Sequence, residues 1–269
     1  MIHGNHWVAT FPKLIKEVEK FTDFLMDIVA KGKLITRSNL IKDDDEIRYV
    51  ISNEHEPLII CCLIKKETHG QTNWDFANAF PILNYGIPYN LQILTLAEDE
   101  DNDWTFDLQI DNERNLKVFV PCFRTNQMKD YINSKKEFYL SALAYFMKKS
   151  EVLLVEANQH EFVEDYKKSL LEDNPKTDVS EISFVPISLD GAIILIDQDN
   201  NDYLFRFKIE EVCEIYQNNN KFFILTGLDY GEDFVFKIPL MVNADNLDGY
   251  YPVAGDNVEG VCWIQGRIK

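Results

Sequence analysis

The most informative stretch of this chain is residues 203–242, which read YLFRFKIEEVCEIYQNNNKFFILTGLDYGEDFVFKIPLMV. Three apolar runs rich in Phe, Ile, Leu and Val are separated by short polar segments that contain Asn, Asp and Gly. Runs of this composition, bounded by such turn residues, are typical of β-strands joined by tight connections. The first run, Tyr203–Gln217, is too long for one regular strand, so we expect it to be bent or bulged.

The same pattern extends to both sides of this stretch. Turn signals recur at roughly 8–12-residue spacing, as in a small sandwich or barrel. We therefore predict an all-β domain at residues 181–269, folded as a small barrel or sandwich. Its predicted strands are Ile182–Leu189, Ala192–Asp197, Tyr203–Gln217, Phe222–Leu228, Phe234–Val242 and Val258–Ile268.

Residues 1–172 combine strand patterns with helical ones and predict a mixed α/β domain. A polar, proline-containing stretch at residues 173–180 is the predicted linker. The fold class predicted for the whole chain is therefore α+β, with an N-terminal mixed α/β domain followed by a small all-β barrel or sandwich. The predicted helices of the first domain are residues 13–31, Thr125–Ile132, Glu137–Lys148 and Glu161–Leu171.

The chain is strongly acidic. Its 269 residues contain 45 Asp and Glu against 27 Lys and Arg, for a formal net charge of -18. Residues 1–172 account for -8 of this charge, and the shorter stretch 173–269 accounts for -10. Such a surface repels phosphate backbones and anionic headgroups and attracts cations. We therefore expect no nucleic-acid or membrane partner, and a protein partner that is basic or neutral.

Cysteine usage and the first residues favour a cytoplasmic location. The five cysteines are odd in number, and four of them lie in apolar, strand-like runs, where cysteine behaves as a small buried hydrophobe. The opening residues lack a basic segment followed by an apolar one, which is the pattern of a secretory signal. A reducing compartment is therefore expected.

One part of the chain resembles a known family. A strand pair around Trp104–Ile110 is followed by Lys117–Thr125, which reads KVFVPCFRT and places a short apolar strand, a Pro and a Phe before a candidate helix cap. A further strand at Val152–Val155 and a helix at Phe162–Leu171 come next. In this arrangement residues 91–171 resemble the N-terminal module of the enhanced-serine-sensitivity (SseB) family. The resemblance implies an α/β module and no known catalytic residues.

Residues 248–267 combine an aromatic loop with a strand that carries a tryptophan. Tyr and Trp are enriched at the hot spots of protein interfaces, and here they stand beside acidic residues. The alternative is a structural role, in which the loop covers one end of a barrel and the glycines permit close packing. The predicted interaction residues are Asp248, Tyr250, Tyr251, Asp256, Glu259 and Trp263.

A second set of residues suggests metal chemistry. Asp197, Asp199 and Asp202 place carboxylates at short spacing between two predicted strands, and Asp229 and Asp233 lie in another turn. Carboxylates that converge on one point can hold a divalent cation that activates water. Asp is also common in turns for purely conformational reasons.

The sequence thus leaves two hypotheses. Glycine-rich phosphate loops, the Gly-x-Ser-x-Gly turn and Cys-x-x-Cys pairs are absent from it, so no catalytic residue and no cofactor is predicted. The favoured hypothesis is a non-enzymatic protein-interaction module of the immunity, inhibitor or accessory type. The alternative is a hydrolase that depends on a divalent metal held by clustered carboxylates.

Overall fold

Strands dominate the computed structural model of this chain. Within the described residues there are fifteen β-strands and three α-helices. The structure describes residues 6–36, 46–66, 74–98, 104–111, 114–121, 131–150, 153–156, 162–179, 182, 184–187, 189–198, 201–230 and 235–269.

The strands of the described chain form three sheets. An antiparallel four-stranded sheet contains, in order, β1 Lys33–Thr36, β2 Glu46–Ile51, β3 Leu58–Lys66 and β4 Asp75–Leu83. A two-stranded sheet pairs β9 Leu153–Glu156 with β10 Phe184–Ile187. The largest sheet has nine strands, which are β5 Ile87–Glu98, β6 Trp104–Gln109, β7 Asn115–Val120, β8 Lys135–Lys149, β11 Ile193–Asp197, β12 Asp202–Gln217, β13 Asn220–Tyr230, β14 Val235–Asn243 and β15 Asn257–Ile268.

The described residues contain three α-helices. They are α1 His6–Thr10, α2 Val18–Lys31 and α3 Phe162–Asp173. Helix α2 confirms most of the helix predicted over residues 13–31, and α3 confirms the one predicted over Glu161–Leu171. Helix α2 starts late because Glu17 has non-helical backbone angles, which separate α2 from a short 3-10 turn. The helix predicted over Thr125–Ile132 lies almost wholly outside the described residues.

The nine-stranded sheet closes on itself twice. Strands β12, β13, β14, β8 and β15 pair in a ring, and β5, β6, β7, β15 and β8 pair in a second ring. The two rings share the antiparallel β8–β15 ladder, which runs from Phe138 opposite Ile268 to Lys149 opposite Val258. Pairing between β8 and β15 closes each ring, so neither of these two strands leaves an open sheet edge on that side.

The predicted α+β fold class is wrong. The molecule is mostly β, and its nine-stranded sheet joins strands from before residues 173–180 to strands from after them, through β8–β15 and β8–β14. The largest single error is Glu137–Lys148, predicted as a helix and found within β8. This segment is rich in Ala, Leu, Met, Lys and Glu, which favour helices, but pairing with β5, β14 and β15 overrides that weak local preference.

The strand pattern of the rear part is confirmed. Each of the six strands predicted behind residue 180 overlaps an observed strand, and the long run Tyr203–Gln217 lies within β12. As expected, β12 is irregular, with a register shift between Ile209 and Glu211. This bulge divides the strand, so that its first half pairs with β11 and β15 and its second half pairs with β13.

Two buried glutamines attach the four-stranded sheet to the rings. The Gln265 amide accepts a hydrogen bond from the Leu83 backbone and donates one to the Pro81 carbonyl, both at 2.9 Å. The Gln217 amide accepts from the Leu58 backbone at 3.0 Å and donates to the carbonyl of the same residue. Each glutamine side chain therefore pairs with backbone groups of the four-stranded sheet as a neighbouring strand would. The N–H groups of Leu58 and Leu83 and the carbonyls of Leu58 and Pro81 are all hydrogen-bonded in this way.

Candidate interaction surface

The clearest surface constellation lies on the β12–β13 hairpin. Asn218 and Asn219 form its turn with positive φ angles of 49° and 58°, as expected of a tight two-residue hairpin turn. The resulting register places Glu214 opposite Phe223 and Tyr216 opposite Lys221. Residues two apart on a strand share a face, so these four side chains lie together.

A residue from a distant loop completes this constellation. Tyr251, in the loop that precedes β15, donates its hydroxyl to Glu214 Oε2 at 2.8 Å, and its ring meets the Phe223 ring edge-on with centroids 5.0 Å apart. We name the group the Glu214 cluster. Its members are Glu214, Tyr216, Lys221, Phe223 and Tyr251.

Glu214 is the electrostatic centre of the cluster. Its carboxylate pairs with Lys221 Nζ at 2.7 Å and accepts the Tyr216 hydroxyl at 2.7 Å, in addition to that of Tyr251. These contacts, with the Lys221 hydrogen bond the largest cause, lower the pKa of Glu214 to about 2. The same ion pair raises the pKa of Lys221. Both groups therefore stay charged across the physiological pH range.

Three aromatic rings surround the lysine, and the two tyrosines among them remain open to solvent. The Lys221 ammonium lies 4.9 Å from the Phe223 ring centroid, 5.1 Å from that of Tyr251 and 5.8 Å from that of Tyr216. Cations at this range are attracted to ring faces. Tyr216 is nevertheless 71% exposed and Tyr251 57% exposed. The cluster thus presents two tyrosines whose positions are already fixed by hydrogen bonds.

Internal contacts hold the loop that carries Tyr251. The Tyr250 hydroxyl donates to Asp256 Oδ2 at 2.9 Å, and Lys149 Nζ lies 2.6 Å from Asp256 Oδ1. Lys149 is the main cause of a lowered Asp256 pKa. Asp248 lies exposed at the start of the loop, with a φ of 47°. Of the predicted interaction residues, Tyr250 and Asp256 therefore make intramolecular contacts, and Tyr251 and Asp248 reach the surface.

Trp263 lies inside the molecule. It is 1% exposed and stacks on His6 of α1, with ring centroids 3.8 Å apart and planes at 8°. His6 Nδ1 contacts the Tyr145 hydroxyl at 2.5 Å, and that hydroxyl donates to Asp202 Oδ1 at 2.7 Å. Since the Tyr145 hydroxyl donates its hydrogen to Asp202, its oxygen accepts from His6, and His6 Nδ1 carries the hydrogen of the first contact. The sequence does not reveal this chain of polar groups.

Burial raises the pKa values of the acidic groups around this hydrogen-bonded series. It raises the pKa of Asp202, and it is also the main cause of a raised pKa at Tyr145 and at the neighbouring Cys262. Tyr145 is the residue that the β8–β15 ladder skips at its register shift. A bulge of this kind re-aims a side chain. The bulge explains how Tyr145 reaches between His6 and Asp202.

The carboxylates proposed as metal ligands lie against their own partners. Asp197 pairs with Lys117 Nζ at 2.5 Å, Asp202 accepts from Tyr145, and Asp229 pairs with Arg114. Asp199 and Asp233 lie outside the described residues. Within the described ranges, no three His, Cys, Asp or Glu side chains converge as metal ligands would.

Sequence reasoning missed most of the Glu214 cluster, although part of its signal is present. The segment EIYQNNNKFF at residues 214–223 contains an Asn-Asn turn, and a two-residue turn at 218–219 fixes the observed cross-strand pairs. The approach of Tyr251 has no local signal, because 27 residues separate it from the end of that segment.

Comparison of the chain with protein-family models, with curated proteins and with solved structures finds no match. The resemblance of residues 91–171 to the SseB module therefore stays a prediction. Helices long and apolar enough to cross a bilayer do not occur in the part of the chain that the structure describes.

Proposed function

We propose that this protein is a non-enzymatic protein-interaction module of the immunity, inhibitor or accessory type, which acts in the cytoplasm and binds a basic or neutral partner through the Glu214 cluster. One observation carries the proposal. Tyr216 and Tyr251 are mostly exposed, yet both hydroxyls are bound to the same carboxylate.

Exposed tyrosines that are already fixed suit a binding surface. Tyr offers a large contact area with few rotatable bonds, and residues of this type are enriched among interface hot spots. Ordering a side chain on association costs roughly 0.5–1.5 kcal/mol. Because hydrogen bonds to Glu214 already order both tyrosine side chains in the free protein, part of this cost does not arise on binding.

The charge of the chain supports a basic or neutral partner. A net charge of -18 steers cationic proteins toward the surface and repels anionic ones. Glu214 stays ionised because of its lowered pKa. A partner lysine or arginine near the cluster would meet this carboxylate and the open faces of two tyrosine rings.

Affinity capture with matched variants tests the proposal. Columns carrying the wild type, the double variant Tyr216→Ala/Tyr251→Ala and the control Tyr85→Ala, altered at another exposed tyrosine, are loaded with extract of the native host. We expect a protein retained by the wild type and the control but lost from the double variant. Its purified form should bind at least tenfold more weakly to the double variant, and more weakly at high salt. Equal retention on all three columns would refute the proposal.

A further inference from the structure

Two rows of side chains cross the outer face of β11, β12, β15 and β8. In the first row, Ile196 stands opposite Leu204, Leu204 opposite Val261 and Val261 opposite Phe146. In the second row, Ile194 stands opposite Arg206, Arg206 opposite Glu259 and Glu259 opposite Lys148. Side chains two residues apart along each strand share this face, so an apolar row lies directly beside a charged one.

The rows line an open groove with a volume of about 500 Å³. A volume of this size is typical of small-molecule sites, which are mostly apolar with a few placed polar groups. Three members of the apolar row are exposed, Ile196 at 53%, Phe146 at 41% and Leu204 at 40%. Large apolar side chains that are contiguous and exposed mark binding sites more often than scattered ones do.

The charged row carries an excess of one positive charge. Glu259 pairs with Arg206 at 2.5 Å and with Lys148 at 3.0 Å, and it accepts the Ser150 hydroxyl at 2.9 Å. Two cations thus flank one carboxylate in a protein whose net charge is -18. The groove therefore combines an apolar floor with a locally cationic rim, which complements a ligand with an apolar body and one anionic group.

The size of the apolar row limits the ligand. Four adjacent strands span three gaps of about 4.8 Å, or about 14 Å in all. An extended alkyl chain of ten carbons fits within this length, because carbon–carbon bonds of about 1.5 Å at tetrahedral angles each advance about 1.25 Å, or about 11 Å over nine bonds. We propose that the groove binds one medium-chain carboxylate, with its tail along the apolar row and its head at Lys148 and Arg206.

The charges disfavour other occupants. A second copy of the chain carries its own net charge of -18 and would be repelled by the first, and a bilayer with anionic lipids would be repelled in the same way. A cationic amphiphile would place its head against Arg206 and Lys148. The site is separate from the Glu214 cluster, so the two proposals can fail independently.

Calorimetry with two matched probes tests the inference. Decanoate and decyltrimethylammonium have the same chain length and opposite charges, and each is titrated below its micelle concentration into the full chain. We expect saturable one-to-one binding of decanoate, with decyltrimethylammonium bound at least tenfold more weakly. Equal affinity for the two probes, or no binding of decanoate, would overturn the proposal.

Variants then locate the binding. Leu204→Asp, which puts a negative charge in the apolar row, should abolish decanoate binding, and Arg206→Gln should weaken it about tenfold. Tyr216→Ala, in the Glu214 cluster, should leave it unchanged. Circular dichroism and melting temperature confirm that each variant is folded. Undiminished binding by folded Leu204→Asp would contradict the assignment.

Sedimentation distinguishes the remaining occupants. We expect the wild type to be a monomer that does not pellet with phosphatidylcholine vesicles. A dimer that Leu204→Asp dissociates would assign the groove to a second copy and overturn the proposal. Pelleting with vesicles in the absence of decanoate binding would overturn it as well.

Discussion

At the residue scale, burial has made Asp202 a pH-sensitive element. Its pKa is raised in the folded protein, whereas in the unfolded chain an Asp titrates near 3.9. Between these two values the unfolded chain binds fewer protons than the folded one, so the free energy of unfolding falls as pH rises through that window. Below both values this contribution vanishes.

The variant Asp202→Asn should remove the unfavourable contribution that the buried, ionised carboxylate makes to the free energy of unfolding. The amide oxygen still accepts the Tyr145 hydroxyl, but the side chain carries no charge. We expect the variant to be more stable than the wild type at pH 7, with a difference that shrinks as pH falls toward 4. Urea unfolding across this range measures it, with Asp75→Asn at an exposed strand start as the control. A variant less stable than wild type at pH 7 would contradict the argument.

Glu214 provides the opposite case. Its folded pKa of about 2 lies below the ordinary value of 4.5, so its stabilising contribution is present above pH 4.5 and is lost as pH falls toward 2. Lys221 is the largest cause of the shift. In Lys221→Met the Glu214 carboxyl should therefore titrate at a distinctly higher pH, measured by carbon NMR of that carboxyl. Lys31→Met, on α2, should leave the Glu214 midpoint in place.

At the scale of elements, β15 packs closely against β8 and β12 at Gly260. A Cβ atom built there would lie 2.1 Å from the Phe146 carbonyl oxygen and 2.9 Å from the Phe205 ring. Backbone cannot move aside as a flexible side chain does, so we expect Gly260→Ala to cost about 2–3 kcal/mol of the free energy of unfolding.

Gly249 provides the matched comparison for this prediction. It has open space around its Cα but a φ of 79°, so Gly249→Ala should cost only the strain of that backbone conformation, about 1–2 kcal/mol. Chemical denaturation measures both variants. A smaller loss at Gly260 than at Gly249 would show that β8 and β12 can separate at this point.

The sequence predicts elements well where the signal is local. Alternating apolar runs and Asn- or Asp-rich turns mark all six rear strands, and the length of Tyr203–Gln217 reveals its bulge. The β8 strand is missed because its residues favour a helix in isolation. Likewise Trp263 looks like an interface residue until α1 is seen to cover it with His6. Contacts between residues far apart in the chain leave no local pattern to read.

At the scale of the whole molecule, the β8–β15 ladder bears on whether the chain divides into two domains that fold separately. The sequence predicts separate domains at residues 1–172 and 181–269, but β8 comes from the first part and pairs with β14 and β15 of the second. Expressed alone, each part would lack strands that close its ring. We therefore expect neither part to show cooperative thermal unfolding by itself.

Cleavage after folding is the control for this prediction. A protease site inserted between Lys176 and Thr177 and cut in the folded protein should leave both fragments associated, with one cooperative transition. Circular dichroism and amide NMR dispersion report the outcome. Independent, cooperative melting of residues 181–269 would show that the rear part closes without β8.

The position of β15 in the chain also concerns synthesis. Strands β5–β8 emerge from the ribosome long before β15, and neither ring can close until β15 has emerged as well. Until then β8 and β12 expose unpaired edges, which are templates for aggregation. Translation that stalls anywhere between residues 150 and 257 would thus leave neither ring closed, so nascent chains of this protein should depend on chaperones far more than the finished one.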